Sequence, residues 1–352
     1  MIHSISRRHF FLPTVATLHF GLRPGILFSQ PSPDPPEDQP PKLMSAATRQ
    51  AVQRGLESLK TRQQNDGAFG PRGYARGPAV AAIAGMAFMS AGSSPGRGPY
   101  GQQVNRCISY LLANTQPSGY ITIRDDEAHG RMYGHGFATL FLAQAYGMTS
   151  DTAIRTNLSK AVNLILRGQN PDGGWRYTPT SPEADISVTI CQIMALRAAR
   201  NAGIAVPIAK IEKCIEYVKR CQNADGGFMY MLNQPGESRF PRSAAGIVAL
   251  YSAGIYQGEE IENGLSYLMQ HLPPDSFDGD GYFFYGHYYA AQAMWHAGAE
   301  KWQRWYPAIS SVLLKRQNNN GSWDDPIGAA YGTAMACIIL QMPNSHLPIF
   351  QR

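Results

Sequence analysis

Six short segments of this chain gather residue types that could do chemistry, each just ahead of a run of small apolar residues. The first holds Tyr74 and Arg76, the second Arg131, Tyr133 and His135, and the third Glu183, Asp185 and Ser187. The fourth holds Arg239 and Arg242, the fifth Tyr285, His287 and Tyr288, and the last Asp324, Asp325 and Tyr331. Two are near copies, Tyr133-Gly134-His135-Gly136-Phe137 and Tyr285-Gly286-His287-Tyr288-Tyr289. Carboxyl and imidazole groups carry protons in acid–base catalysis, so Asp185, His135 and His287 are the candidate catalytic residues. Arginines bind anions, and aromatic faces stabilise positive charge through their quadrupole. Arg76, Tyr133, Arg242, Tyr285, Tyr288 and Tyr331 are therefore the candidate substrate contacts. A plainer reading stays open: these side chains cap helices, bond loop carbonyls or pair with one another. Asp185 and Ser187 in particular suit an N-cap; on that reading Asn at 185 caps as well as Asp and leaves stability unchanged.

Other motifs are weaker. Asp125-Asp126-Glu127 with His129 offers oxygen ligands to a divalent cation, or is a solvated turn. The five cysteines, Cys107, Cys191, Cys214, Cys221 and Cys337, show no Cys-x-x-Cys or zinc-finger spacing and read as small buried residues. No phosphate loop, Gly-x-Ser-x-Gly or His-Glu-x-x-His is present. No cofactor and no bound metal is expected.

What must position the six segments is a repeat. The phrase Gln-Asn-x-Asp-Gly-Gly-aromatic occurs as Gln169 to Trp175 and Gln222 to Phe228. Looser copies run from Gln63 to Phe69 and Gln317 to Trp323. A shortened copy spans Gln116 to Tyr120, and a stretched one Gln270 to Tyr282. Fixed-period self-similarity marks a repeat architecture. Ahead of each phrase apolar residues fall three and four apart, as in Ile211, Cys214, Ile215, Tyr217 and Val218, the pattern of an amphipathic helix. The Asn/Asp-Gly-Gly stops that helix, because glycine accepts positive φ.

After each phrase comes a helical run with few charges: Ala79 to Ala91, Phe137 to Tyr146, Ile186 to Ala199, Ser243 to Ala253, Tyr288 to Ala297 and Ala330 to Leu340. A helix apolar nearly all round is a buried helix, and none of these reaches the ~20 apolar residues of a membrane span. Six outer–inner hairpins, about twelve helices with no sheet, either stack as an open solenoid or close into an all-α, double-layered (α/α)6 toroid. Buried second helices favour closure. In a toroid the inner helices start at one end, so Arg76, His135, Asp185, Arg242 and His287 are expected to converge on one cavity mouth.

The phrase, Gln169 to Trp175 in its clearest form, resembles the QW motif of the prenyltransferase and squalene-cyclase repeat. The resemblance covers about residues 45 to 342 and implies the α/α toroid of terpenoid cyclases and protein prenyltransferase β subunits. It implies that the Gln and the aromatic tie neighbouring outer helices together, with Trp175 and Trp323 buried. Squalene-hopene cyclases carry Asp-x-Asp-Asp-Thr at an inner helix start, the middle Asp protonating the substrate. The matching stretch is Glu183-Ala184-Asp185-Ile186-Ser187, so Asp185 takes the middle position while Ile186 stands where the third acid belongs. The Asp-x-Cys zinc motif of the prenyltransferases is absent.

The 352 residues carry a net charge of +6. Arg7, Arg8 and Arg23 fall in the first thirty residues, which hold no acid, so the remainder is too mildly basic to argue for nucleic acid. Ser6-Arg7-Arg8-His9-Phe10-Phe11 followed by a short apolar stretch resembles a twin-arginine export signal. Residues 1–30 are thus expected to be a signal, 31–41 a Pro-rich linker and 42–345 the toroid, exported to the periplasm or beyond. Three functions fit: an enzyme on an isoprenoid or other largely apolar substrate, a non-catalytic binding toroid, and an exported polysaccharide-acting enzyme.

Overall fold

The computed structural model describes residues 43–123, 131–149, 151–273 and 282–351. Six outer–inner helix pairs follow the six copies of the phrase. Outer α1 (Ala46–Arg62) leads through a single turn, α2 (Gly73–Arg76), to inner α3 (Pro78–Ser90). Outer α4 (Gly101–Ala113) precedes inner α5 (Arg131–Tyr146), and α6 (Thr152–Gly168) precedes α7 (Ile186–Asn201). The last three pairs are α8 (Ile208–Arg220) with α9 (Phe240–Ser252), α10 (Glu259–Met269) with α11 (Phe283–His296), and α12 (Ala299–Arg316) with α13 (Ala329–Gln341). There is no strand among the described residues, and no helix there is long and apolar enough to cross a membrane.

The pairs close into a toroid. Each inner helix packs on the next, and α13 returns to pack on α3. Outer α1 touches both α12 and α13, so the first and last hairpins meet. Burial follows the sequence pattern. In α3 every residue except Ala79 is buried, whereas α8 buries only Ile211, Cys214, Tyr217 and Val218.

The glutamine phrases make the joints between repeats. Gln169 Nε2 donates to the Gly173 carbonyl of its own turn and to the Lys210 carbonyl in the first turn of the next outer helix, both at 2.8 Å. Gln222 does the same with Gly226 and Glu260, and Gln317 with Gly321 and Ala51, the last bond tying α12 to α1 and closing the ring. Trp175 and Trp323 are buried, and their indole N–H groups donate to Ile165 and Leu313 carbonyls at 2.7 and 2.8 Å. Glycine is required in the turn itself. Gly173 sits at φ +106°, and an added Cβ would meet the Lys213 carbonyl oxygen at 2.1 Å.

Three inner helices start earlier than their apolar runs suggest: α5 at Arg131 rather than Phe137, α9 at Phe240 rather than Ser243, α11 at Phe283 rather than Tyr288. Their first turns carry Tyr, His and Arg, which mask the apolar signal, and Pro241 is tolerated there because first-turn N–H groups need no intrahelical acceptor. Several site candidates therefore lie inside helices, where side-chain direction is fixed by helical geometry.

The chain stays packed to Gln351, beyond the domain end read at 345. After α13 two short 3-10 turns, Met342–Asn344 and Pro348–Phe350, cross the C-terminal ends of the inner helices. His346 Nδ1 lies 2.9 Å from the Ser90 carbonyl, Ile349 N–H donates to Gln144 Oε1 at 3.2 Å, and Arg197 Nη2 donates to the Gln351 carbonyl at 2.8 Å. Phe350 packs edge-on to Tyr288. This tail covers the end of the barrel opposite the inner-helix N-termini.

Candidate functional site

A cavity of about 860 Å³ opens where the inner helices begin. All six repeats line it: Tyr74 and Val80 from the first, Tyr133 and Phe137 from α5, Tyr177 and Ser187 around the start of α7. Tyr230 and Arg242 come from the fourth repeat, Tyr282 and Tyr285 from the fifth, and Asp325, Ile327 and Tyr331 from the last. Seven tyrosines and Phe137 thus give the wall its aromatic character, with Arg131, Arg239, Arg242 and Asp325 as its charged members.

One hydrogen-bond chain runs behind that wall. Tyr133 Oη bonds Ser187 Oγ, and Ser187 Oγ donates to Asp185 Oδ1 at 2.6 Å. Burial holds the Tyr133 phenol well above its ordinary pKa, so it stays protonated and donates. Asp185 is also the N-cap of α7, accepting from Val188 N–H at 2.8 Å, and its other oxygen meets Arg176 Nη1 at 3.3 Å. Burial pushes the Asp185 carboxyl up, against the downward pull of Ser187, Val188 and the Arg176 charge. Arg176 in turn pairs with Glu183 at 3.1 Å and stacks over Tyr177 at 4.6 Å. Tyr177 and Tyr230 bond each other through their hydroxyls, and Tyr285 Oη donates to the Ser187 carbonyl at 3.0 Å.

The structure brings Tyr133, Arg242, Tyr285 and Tyr331 together on the cavity, from four repeats. Asp185 is fully buried one bond behind Ser187 and does not line the wall. Arg76 turns away to its own repeat, pairing with Asp66 and donating to Gln64 Oε1 at 3.1 Å.

The expected convergence of His135 and His287 is corrected. His135 lies two residues after Tyr133 within α5, which rotates it about 200° around the helix. It faces the outer layer, where Nδ1 accepts from Ile121 N–H and Nε2 meets the Ala161 carbonyl, both at 3.2 Å. His287 bears the same relation to Tyr285 and packs against Phe240, Phe283 and Trp305 of α12. Burial lowers the two imidazoles to about 4 and about 3, so both are neutral. Tyr288 is also fully buried, below the wall, against Phe137.

A repeated bond explains His135. In three phrases the backbone N–H of the aromatic donates to an inner-helix side chain: Trp175 to Thr189, Phe228 to Ser243 and Trp323 to Thr333, at 2.9–3.0 Å. His135 is that acceptor in the second repeat, serving Ile121 next to Tyr120.

Tyr177 and Tyr230 line the cavity without standing directly ahead of an inner helix's apolar run. Each follows its phrase aromatic by two positions, Trp175-Arg176-Tyr177 and Phe228-Met229-Tyr230, and that shared offset was the available signal. Asp325 stood in the right segment without being singled out. Asp125, Asp126, Glu127 and His129 lie outside the described residues.

A closed double ring of helices with an aromatic cavity at the inner N-termini defines the class: a single-domain α/α toroid. The prenyltransferase alpha-alpha toroid domain family matches residues 42–279, and the chain belongs to that family. No curated protein matches it by sequence. Among solved structures, the type II terpene cyclase MstE from Scytonema in its apo form is 15% identical with a TM-score of 0.58, covering 86% of this chain and 99% of its own. The GH76A alpha-1,6-mannanase from Salegentibacter sp. HEL1_6 is 8% identical with a TM-score of 0.60, covering 85% of this chain and 99% of its own. Likeness at such identities is of fold alone.

Proposed function

We propose that the chain holds an isoprenoid or other largely apolar molecule in its aromatic cavity, with the form of an enzyme pocket. The observation that carries this is the wall: eight aromatic side chains around about 860 Å³, entered at the inner-helix N-termini and backed by the C-terminal tail at the other end of the barrel. The volume falls within the range of small-molecule sites. MstE, of like fold, has been solved with the substrate geranylgeranyl dihydroxybenzoate, which is in keeping with the reading.

The mannanase likeness raises the polysaccharide reading, and the wall argues against it. Glycoside hydrolysis uses two carboxyl groups facing one bond. Among the described residues only Asp325 brings a carboxylate to the cavity. Protonation of substrate by Asp185 is also disfavoured, since its oxygens are engaged by Ser187, Val188 and Arg176. The function supported best is therefore binding, with any chemistry left to groups on the wall itself. Calorimetric titration with geranylgeraniol and, separately, with an α-1,6-linked mannotetraose tests the choice. Binding of the isoprenoid alone supports the proposal; binding of the sugar alone overturns it.

A further inference from the structure

Apart from Arg131, Arg239 and Arg242, on α5 and at the start of α9, the hydrogen-bonding groups of the cavity interior fall into two sets. On the side of α5, α7 and α11 the hydroxyls are already held by protein: Tyr133 by Ser187, Ser187 by Asp185, Tyr285 by the Ser187 carbonyl. On the α13 side they are not. Tyr331 lines the cavity with 6% of its surface exposed, yet its hydroxyl bonds none of the described residues. Asp325 accepts from Ile327 N–H at 2.8 Å through Oδ1, and its Oδ2 has no partner among the described residues. Both line the cavity, and they lie within electrostatic reach of each other: burial first, and then the Asp325 charge, hold the Tyr331 phenol well above its ordinary pKa.

Both oxygens face the cavity rather than the packed interior, so they are open to a ligand, and one that answers both exchanges its bonds to water for bonds to protein. The phenol donates and the carboxylate accepts. A carbonyl or ether could accept from Tyr331 but would leave Asp325 unanswered. A carboxylate or phosphate would be repelled by Asp325, and an ammonium could not accept from Tyr331. A hydroxyl does both at once. We propose that Asp325 and Tyr331 form a polar subsite for the hydroxyl of a largely apolar alcohol, which donates to Asp325 and accepts from Tyr331. The subsite rests on the apolar cavity proposed above and names the class of molecule it takes.

The test is calorimetric titration of the full chain with geranylgeraniol and with the hydrocarbon of the same skeleton lacking the hydroxyl. The alcohol should bind at least about tenfold more tightly, because a site built for a hydroxyl rejects an analogue without one. Tyr331→Phe, which keeps the ring, should bring the two affinities within about threefold of each other, and Asp325→Asn should weaken alcohol binding. Equal affinities in the parent protein, or a preference that survives Tyr331→Phe at unchanged melting temperature, would overturn the subsite and leave the apolar cavity standing. Binding of neither probe would remove both. The Tyr331→Phe result decides even where Asp325→Asn folds poorly.

Discussion

Asp185 answers to two roles at once, N-cap of α7 and partner of Arg176. The expectation that Asn would substitute freely followed from capping alone. With Arg176 Nη1 facing the same carboxylate, an amide would lose the charge pairing and can turn its NH2 toward a guanidinium. Asp185→Asn should therefore cost about 2 kcal/mol, as the loss of a charged partner in a buried network does; urea denaturation measures it, and an unchanged midpoint would mean the ion pair contributes nothing. His135 and His287 give a second prediction. Each has its folded pKa depressed below 6.5, to about 4 and about 3, so the unfolded chain takes up protons first as pH falls. Their contribution to stability is present above pH 6.5 and is lost as pH falls from there, down to about 4 for His135 and about 3 for His287. The melting temperature should fall steadily from pH 7 to 4.5. His135→Asn, which keeps an acceptor for Ile121 N–H, should flatten part of that slope; a profile untouched by the substitution would place the acid sensitivity elsewhere.

At the level of elements, the glutamine phrase made the hairpins legible. Gln, glycine and aromatic each have one physical task in the joint, so their spacing survives in every copy that the joint needs. Trp175→Ala removes an indole that is 1% exposed together with its bond to Ile165, and should cost roughly 3–5 kcal/mol; a variant melting within a degree or two of the parent would contradict the joint. The site was only partly legible, for a geometric reason. Tyr133 and His135 look equivalent as neighbours ahead of an apolar run. Once α5 starts at Arg131 they lie on opposite faces, and only Tyr133 reaches the cavity. Tyr177 and Tyr230 arrive from loops that fold back over the inner-helix starts, a tertiary placement that helical periodicity does not encode. Asp325 was in the right segment, but nothing local separates it from Asp324, which is exposed.

The whole molecule is a ring whose last joint, Gln317 to the Ala51 carbonyl, closes it on the first helix. Its N-terminal segment carries a separate proposal, export through a twin-arginine route. Replacing Arg7 and Arg8 by Lys should retain the protein in the cytoplasm, and unchanged secretion would point to another route. The central claim is that the space ringed by the inner-helix N-termini is where an apolar molecule binds, and Gly134 offers a direct way to test it. It lies on the cavity wall within α5, and a Cβ there would find its nearest neighbours at 3.7–3.8 Å, an ordinary contact. Gly134→Leu therefore puts a side chain at the cavity wall without a backbone clash, and losing a helical glycine is itself stabilising by up to about 1 kcal/mol. Calorimetric titration of this variant with geranylgeraniol, beside its melting curve, is the decisive measurement. The account predicts a melting temperature equal to or above the parent's and affinity reduced at least tenfold or abolished, as filling a site requires (roughly 1.4 kcal/mol or more). Undiminished binding in a folded Gly134→Leu protein would contradict it.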